Sequence, residues 1–254
     1  MFRPCIDLHE GKVKQIVGGT LGAPANLRTN FVSEKPAAWF AGLYKRDGLA
    51  GGHVIMLGTG NESEARSALA AFPGGMHIGG GINSSNARGW LDAGASHVIV
   101  TSWVFREGRV DWERLEELVK NIGKEKLVLD LSCRKRGENY FVVTDRWQKF
   151  TELIVNEETL RRFSGYCAEF LVHAVDVEGL CTGIDDGLVA KLGQWTPIPM
   201  TYAGGANSIS DLAEVAKLGG GKIDLTIGSA LDIFGGHGVK YDDCVKFNRN
   251  LSQK

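Results

Sequence analysis

The sequence predicts an α/β fold, a single-domain (β/α)₈ TIM barrel that spans residues 1–254 and consists of two half-barrel repeats. Three observations point to it. Eight β-rich runs alternate with amphipathic stretches, the runs recur about every 32 residues, and motifs of the first half of the chain return in the second. A doubly wound open sheet is the alternative, but no G-x-G-x-x-G fingerprint follows the first predicted strand.

The predicted strands are short runs rich in Val, Ile and Leu, as expected for a parallel sheet that is covered by helices. They are Pro4–Leu8, His53–Leu57, Met76–Gly79, His97–Thr101, Lys126–Leu131, Glu169–His173, Pro199–Tyr202 and Lys222–Ile227. Helices are predicted between them and after the last one: Lys35–Arg46, Glu62–Ala71, Ser84–Ala93, Asp111–Asn121, Asn156–Gly165, Asp186–Leu192, Ser208–Leu218 and Asp242–Asn248.

The internal repeat is visible at three places, which come in the same order in both halves and lie about 125 residues apart. The matching motifs are C-I-D-L (5–8) with V-L-D-L (128–131), G-G-I-N-S (80–84) with G-G-A-N-S (204–208), and V-T-S (100–102) with I-G-S (227–229). The predicted repeats therefore cover approximately residues 1–123 and 124–254. Two joined half-barrels predict a site that is itself pseudo-symmetric.

Charge and cysteine content exclude several classes of protein. The chain carries 29 Lys and Arg against 30 Asp and Glu, a net charge of -1 that is too balanced for a nucleic-acid or membrane-surface binder. Its 5 cysteines are scattered and form no C-x-x-C pair, so neither a disulfide framework nor a zinc site is expected. No apolar run is long enough for a spanning helix. We expect a cytoplasmic monomer, or an organellar one if a presequence has been removed.

Two aspartates mark the candidate chemistry. Asp7 and Asp130 stand at the ends of predicted strands 1 and 5, which lie opposite each other in an eight-stranded barrel. One such residue alone is more simply interpreted as a helix N-cap or as the partner of an inward Lys. Their occurrence at equivalent positions of the repeat favours a base and an acid that face each other across the barrel mouth.

Glycine pairs after strands 3 and 7 predict two anion sites. A single G-G-x-N-S motif is an ordinary tight turn, but here the motif occurs twice, and barrels commonly bind phosphate at strands 7 and 8. The residues of the first site are Gly80, Gly81, Thr101 and Ser102, and those of the second are Gly204, Gly205, Gly228 and Ser229. Two such sites predict a small-molecule substrate with a phosphate at each end.

The segment Ser132–Phe150 after strand 5 is long for a connection and carries Arg134 and Trp147. We interpret it as a closing loop in which Arg134 contacts phosphate and Trp147 stacks on a heterocycle, the alternative being a solvated loop with a packed Trp. Phe141–Thr144 is expected to form a short strand paired with Val13–Val17. His173 ends strand 6 at the active face, whereas His53 is expected to be a core imidazole away from it.

The motifs R-P-C-I-D-L-H-E-G-K-V, H-I-G-G-G-I-N, V-L-D-L-S-C-R-K, H-A-V-D-V-E-G and T-Y-A-G-G-A together resemble the eukaryotic branch of the phosphoribosylformimino-5-aminoimidazole carboxamide ribotide isomerases of histidine biosynthesis. The resemblance covers essentially the whole chain. It implies an aldose–ketose isomerase that performs an Amadori rearrangement of the aminoaldose ProFAR to the aminoketose PRFAR, with no cofactor. No metal is expected either, because no cluster of His and carboxylates has metal-ligand spacing. By the same resemblance, Asp7 is the general base, Asp130 is an acid that starts protonated, and Trp147 is the loop aromatic.

The sequence departs from this family at three positions. The Thr that assists the acid in bacterial members is replaced by Ala174, and His173 or Asp176 is expected to take its place in contact with substrate. Met56 and Gln15 replace an Asp and an Arg of the bacterial pattern. Two other functions stay open: the sister cyclase subunit of imidazole glycerol phosphate synthase, which needs ammonia from a partner, and a non-catalytic sensor of phosphoribosyl ligands.

Overall fold

The computed structural model describes residues 1–20 and 27–251, so the end of the predicted second repeat at residue 254 lies outside the described residues. Parallel strands form the centre of the molecule. They are β1 (Cys5–His9), β2 (Gly52–Met56), β3 (Met76–Gly79), β4 (His97–Val100), β5 (Leu127–Asp130), β6 (Glu169–His173), β7 (Met200–Ala203) and β8 (Ile223–Thr226). Each lies within one residue of its predicted bounds.

The sheet closes on itself at the beginning of the chain. β1 pairs with β2, Asp7 being opposite Ile55, and the short strand Phe2–Arg3 just before it pairs with β8. Pro4 separates the two pieces because proline has no N–H to donate to a ladder, although its carbonyl accepts the N–H of His53 at 3.0 Å. One continuous stretch thus contacts both the second and the last strand, and the predicted barrel is confirmed.

Helices cover the outside of the barrel between successive strands. They are α1 (Ala37–Arg46), α2 (Glu62–Ala71), α3 (Ala87–Asp92), α4 (Trp112–Ile122), α5 (Glu157–Phe163), α6 (Asp186–Trp195), α7 (Ser210–Leu218) and α8 (Tyr241–Leu251). α4 shows the pattern: Asp111 caps its first turn through the N–H of Arg114 at 3.2 Å, and Leu115, Leu118 and Ile122 are buried on one face. No helix of the described residues is long and apolar enough to cross a membrane.

The segment after β5 is a three-stranded antiparallel sheet, not a loop. Its strands are Cys133–Arg136, Asn139–Thr144 and Lys149–Ile154. The prediction that 141–144 pairs with 13–17 is wrong, because Lys12–Ile16 folds back on β1 and pairs on its other side with Thr29–Val32. Both segments thus pair with their neighbours in the chain, which costs less loop-closure entropy than a long-range pairing.

The barrel interior changes character along its axis. A small apolar cluster of Ile99, Val128 and Leu171 fills its middle. Because side chains alternate along a strand, Asp130 and His173, two residues further on, point to the same interior one layer nearer the carboxyl ends. The apolar layer therefore forms the floor of a polar mouth.

Candidate active site

Two cavities meet in the barrel mouth. The larger one, of about 660 Å³, extends toward the glycines after β3 and is lined among others by Gly80, Gly81, Thr101, Ser102, Asp130 and Trp147. The smaller one, of about 30 Å³, lies toward the glycines after β7 and is lined among others by Gly204, Gly205, Gly228 and Ser229. Asp7, His173 and Glu178 line both. The two predicted anion sites thus lie at the two ends of one groove that has ionisable groups at its centre.

Both glycine pairs adopt backbone conformations that favour glycine. Gly80 and Gly81 have φ values of 94° and 69°, and Gly204 and Gly205 have values of 122° and 78°. A Cβ at Gly80 would lie 2.1 Å from the carbonyl oxygen of Met56, and one at Gly205 would lie 2.0 Å from that of Gly183. Within the described ranges, these four glycines donate no backbone hydrogen bond to another residue, so their N–H groups are open to an anion.

The turns between the glycine pairs and the helices that follow them are internally hydrogen-bonded. The carboxylate of Asp211 accepts the N–H groups of Asn207 at 2.7 Å and Ser208 at 3.0 Å. On the opposite side, Asn86 Oδ1 accepts the N–H of Asn83 at 2.9 Å, which makes residues 83–86 a turn and delays the start of α3. The N–H groups of Asn83, Asn207 and Ser208 are therefore already engaged within the protein.

The predicted hydroxyls have partners within the protein. Thr101 Oγ1 donates to Asp130 Oδ2 at 3.0 Å, which links the end of β4 to the end of β5. Ser102 Oγ accepts the N–H of Asp145 at 3.1 Å, and Ser229 Oγ accepts Nδ2 of Asn30 at 3.1 Å. Thr101 thus acts on Asp130, while Ser102 and Ser229 anchor the segments that follow β5 and β1.

Asp7 has few partners. Gln15, on the strand that folds back on β1, donates Nε2 to Asp7 Oδ2 at 3.1 Å. Burial and the nearby carboxylate of Glu178 raise the pKa of Asp7 to about 7, against the smaller opposing effects of His173 and Gln15. A carboxyl group with this pKa is both present as a carboxylate and basic enough to take a proton near neutral pH.

Asp130 has many partners. Its Oδ1 accepts the N–H of Ser132 at 2.8 Å and the Ser132 hydroxyl, and its Oδ2 accepts the hydroxyl of Thr101. His173 Nδ1 lies 3.9 Å from Oδ1. Burial alone would raise the pKa of Asp130, but His173 and Ser132 outweigh it and hold the pKa below its ordinary value.

The surroundings of this pair favour a proton on His173 over one on Asp130. Burial opposes the charged imidazole, but Asp130, Glu178 and Asp7 outweigh it and raise the pKa of His173 above its ordinary value. The expected starting state, with Asp130 protonated and Asp7 ionised, is therefore not the one that the surrounding charges favour. The two shifts favour an ionised Asp130 beside a charged imidazole, and the pKa of Asp7 is raised to about 7.

Trp147 lies over the mouth. It stands on the turn between the last two strands of the segment after β5. Its ring centroid is 5.2 Å from that of His173. Asp145, Arg146 and Trp147 all have positive φ values, of 52°, 58° and 64°, which costs conformational energy in non-glycine residues. This strained turn places the indole at the site. Tyr140, Val142 and Val143 of the same sheet are buried and anchor it.

Arg134 and Asp176 are paired with each other, not with the cavities. Arg134 Nε lies 2.8 Å from Asp176 Oδ1, and the N–H of Lys135 donates to Asp176 Oδ2 at 2.9 Å. Neither side chain lines the cavities described above. The ion pair connects the segment after β5 to the turn after β6.

Sequence reasoning missed three groups at the centre of the mouth. Glu178 adds a third carboxylate, whose pKa is raised by burial. Ser132 bridges Asp130 and His173. His53 is not remote from the site, since its ring lies 5.9 Å from that of His173 and it lines the smaller cavity. Glu178 carried the one usable signal, an acidic residue five positions after the strand-end His173.

Within residues 1–20 and 27–251, no group of three His, Cys, Asp or Glu side chains is arranged to hold a metal ion. A closed barrel with ionisable groups and glycine-lined ends at the carboxyl face of its strands is typical of barrel enzymes, whose active sites lie at that face and frequently bind phosphate. The sequence profile of the histidine biosynthesis protein family matches residues 1–242, and the chain belongs to this family.

Similar proteins from fungi and a plant share almost the whole chain. A protein of Neurospora crassa is 53% identical over 252 residues and one of Saccharomyces cerevisiae is 50% identical over 255, with 98% and 97% of both chains covered. A chloroplastic protein of Medicago truncatula is 54% identical over 254 residues, which are 97% of this chain and 81% of that one. All three are named 1-(5-phosphoribosyl)-5-((5-phosphoribosylamino)methylideneamino) imidazole-4-carboxamide isomerase.

Proposed function

We propose that this chain is the isomerase that converts the aminoaldose ProFAR to the aminoketose PRFAR in histidine biosynthesis. The observation that carries the proposal is the groove in which two glycine-lined cavities meet at Asp7, His173 and Glu178. Such a groove suits a long substrate that is phosphorylated at both ends and reacts at its middle. The names of the similar proteins describe the same reaction.

The chemistry needs one group that takes a proton from carbon and one that gives a proton to oxygen. Asp130 protonates the ring oxygen, which opens the aminofuranose to a Schiff base. Ionised Asp7 then removes the C2′ proton to give an enolamine. The enolamine becomes the ketose when its hydroxyl proton returns to Asp130 and C1′ takes the proton from Asp7. The raised pKa of Asp7 supports its assignment as the base.

The substrate phosphates would bind to the backbone N–H groups of the two glycine pairs, with Ser102 at one end and with Gly228 and Ser229 at the other. Trp147 would stack on the aminoimidazole ring beside His173. Thr101 acts through Asp130. Arg134 and Asp176, which contact each other, would hold the Trp147 segment in place.

Turnover assays of the purified chain test this proposal. Incubation with the aminoaldose bisphosphate, without ammonia or any partner protein, should give the aminoketose, which is followed by its absorbance and by its chromatographic separation from the isomeric aminoaldose. Turnover of the aminoketose but not of the aminoaldose, and only in the presence of ammonia, would identify a cyclase. Binding without turnover would identify a sensor.

The finer assignments belong to the same proposal. We infer two homologous half-barrels, approximately 1–123 and 124–254, because both carry a strand-end Asp and a glycine pair with positive φ.

Five free cysteines support a reducing compartment such as the cytoplasm. The described residues expose few large apolar side chains, which supports a monomer: Met1, Val32, Trp39, Leu180, Ile209 and Leu251. Cell fractionation and light scattering on the purified protein test these two assignments.

A further inference from the structure

Ser132 occupies a bridging position that the reaction outlined above does not use. It lies two residues after Asp130 and its side chain is fully buried. The hydroxyl contacts Asp130 Oδ1 on one side and lies 2.9 Å from His173 Nδ1 on the other. The backbone N–H of His173 also donates to Ser132 Oγ, at 3.3 Å.

The hydrogen-bonding capacity of these groups fixes the direction of each bond. A hydroxyl has one proton to donate and two lone pairs to accept with, whereas an ionised carboxylate can only accept. The hydroxyl proton of Ser132 therefore points to Asp130, and its lone pairs accept the two N–H groups of His173. It follows that Nδ1 of His173 carries a hydrogen.

We propose that Ser132 is a positioning residue that relays a proton from His173 to Asp130. The inference rests on the proposed isomerase function. The Nδ1 proton of His173 moves to Ser132 Oγ while the hydroxyl proton of Ser132 moves to Asp130, which protonates the ring oxygen of the substrate. His173 is then neutral and Asp130 is again ionised. When the enolamine becomes the ketose, its hydroxyl proton returns to Asp130 and, by the reverse path, to His173.

The relay reconciles the acid role of Asp130 with its surroundings. Three donors stabilise the ionised carboxylate, so Asp130 by itself holds a proton poorly. A protonated imidazole one hydroxyl away stores that proton in the same pair. The other groups that face His173 are Asp7 from β1 and Glu178 from the turn after β6, which favour its charged form, and His53 from β2, whose own pKa is lowered by burial to about 3.

The first measurement needs no substrate. Nitrogen-15 NMR of imidazole-labelled wild-type protein should show a protonated Nδ1 on His173 and a pKa above the ordinary histidine value. Ser132→Ala should shift the pKa of His173 downward by roughly one unit or more, because the hydroxyl no longer links the imidazole to Asp130. Thr101→Val is the matched control, since it also removes a hydroxyl donor from Asp130 but leaves the link to His173 intact.

Kinetics give the second measurement. Ser132→Ala should lower kcat roughly 10- to 100-fold and move the alkaline limb of the pH profile to lower pH, and Ser132→Thr should restore both. An unprotonated Nδ1 in wild-type protein would overturn the relay, as would unchanged turnover of Ser132→Ala or a loss of kcat with an unmoved alkaline limb. A wild-type protein without turnover would refute the isomerase itself, while the NMR result would still decide whether Ser132 couples the two groups.

Discussion

Asp7 and Asp130 occupy matching strand ends in the two halves of the barrel, yet their carboxyl groups have opposite surroundings. Asp7 accepts one hydrogen bond, from Gln15, and lies near the carboxylate of Glu178. Asp130 accepts three hydrogen bonds and lies beside His173, whose pKa is raised by the surrounding carboxylates. The barrel determines the positions of both carboxyl groups, whereas residues on neighbouring strands and turns shift their pKa values in opposite directions.

The difference begins two residues after each aspartate. In the first half this position is His9, whose Nδ1 lies 3.1 Å from Lys14 Nζ at the edge of the mouth. In the second half it is Ser132, which turns inward to Asp130. The residues at this one equivalent position thus differ in their contacts: Ser132 hydrogen-bonds to Asp130, whereas His9 contacts Lys14 and leaves Asp7 with Gln15.

The largest expected effect comes from removing the base. Asp7→Asn keeps the size of the side chain and an oxygen that can accept from Gln15, so the fold and substrate binding should be retained. It removes only the proton acceptor, and kcat should fall roughly 10²- to 10⁴-fold. Steady-state kinetics with the aminoaldose bisphosphate, together with circular dichroism, check this. Near-normal turnover would transfer the base role to another group.

The two aspartates should also differ in their contribution to stability. Asp130→Val leaves the N–H of Ser132 and two hydroxyls without their acceptor, which should lower the free energy of unfolding by roughly 2–5 kcal/mol. Asp7→Val deprives Gln15 of a partner but also removes a poorly solvated carboxylate, and should be nearly neutral or stabilising at pH 8. Urea unfolding of both variants measures the difference. Equal losses would contradict the contrast in surroundings.

The pH dependence tests the contrast without altering either aspartate. The pKa of Asp7 is raised from 3.8 to about 7, so the folded chain holds this proton more tightly than the unfolded chain does. Between these values the contribution of Asp7 to the free energy of unfolding therefore falls as pH rises, by at most about 1.4 kcal/mol per pH unit. Activity should fall below about pH 7, as Asp7 becomes protonated.

Glu178→Gln sharpens this prediction, because it removes the neighbouring negative charge. The pKa of Asp7 should then drop, and the acidic limb of the kcat/KM profile should move to lower pH. Asp176→Asn is the matched control, since this carboxylate lies outside the cavities and should leave the acidic limb in place. An acidic limb unmoved by Glu178→Gln would show that Asp7 does not control it.

The sequence was sufficient for the barrel and for the positions of the two aspartates and the glycine pairs, because buried parallel strands and strained turns leave strong local patterns. It was insufficient for the segment after β5. There the charged run C-R-K-R does not have the apolar pattern of a strand, yet it pairs with the next strand in the chain, which in turn pairs with a third. The sequence also could not predict the protonation states of Asp7, Asp130 and His173. They depend on Ser132 and Glu178, side chains that reach the mouth from turns whose course is set only by the packed structure.

The smallest expected effect lies where the two halves touch. Gly18 follows the strand Lys12–Ile16, and a side chain does not fit at this position. A Cβ would lie 2.5 Å from Trp147 Cζ3 and 2.9 Å from Glu178 Cγ. Gly18→Ala should therefore displace the indole and lower kcat/KM by roughly 3- to 10-fold, about 1 kcal/mol. Gly19→Ala is the matched control, because nothing lies within 4 Å of its Cβ position. If Trp147 carries the effect, Gly18→Ala should have little further consequence in a Trp147→Ala background. Additive losses in that double variant would instead assign the contact to Glu178.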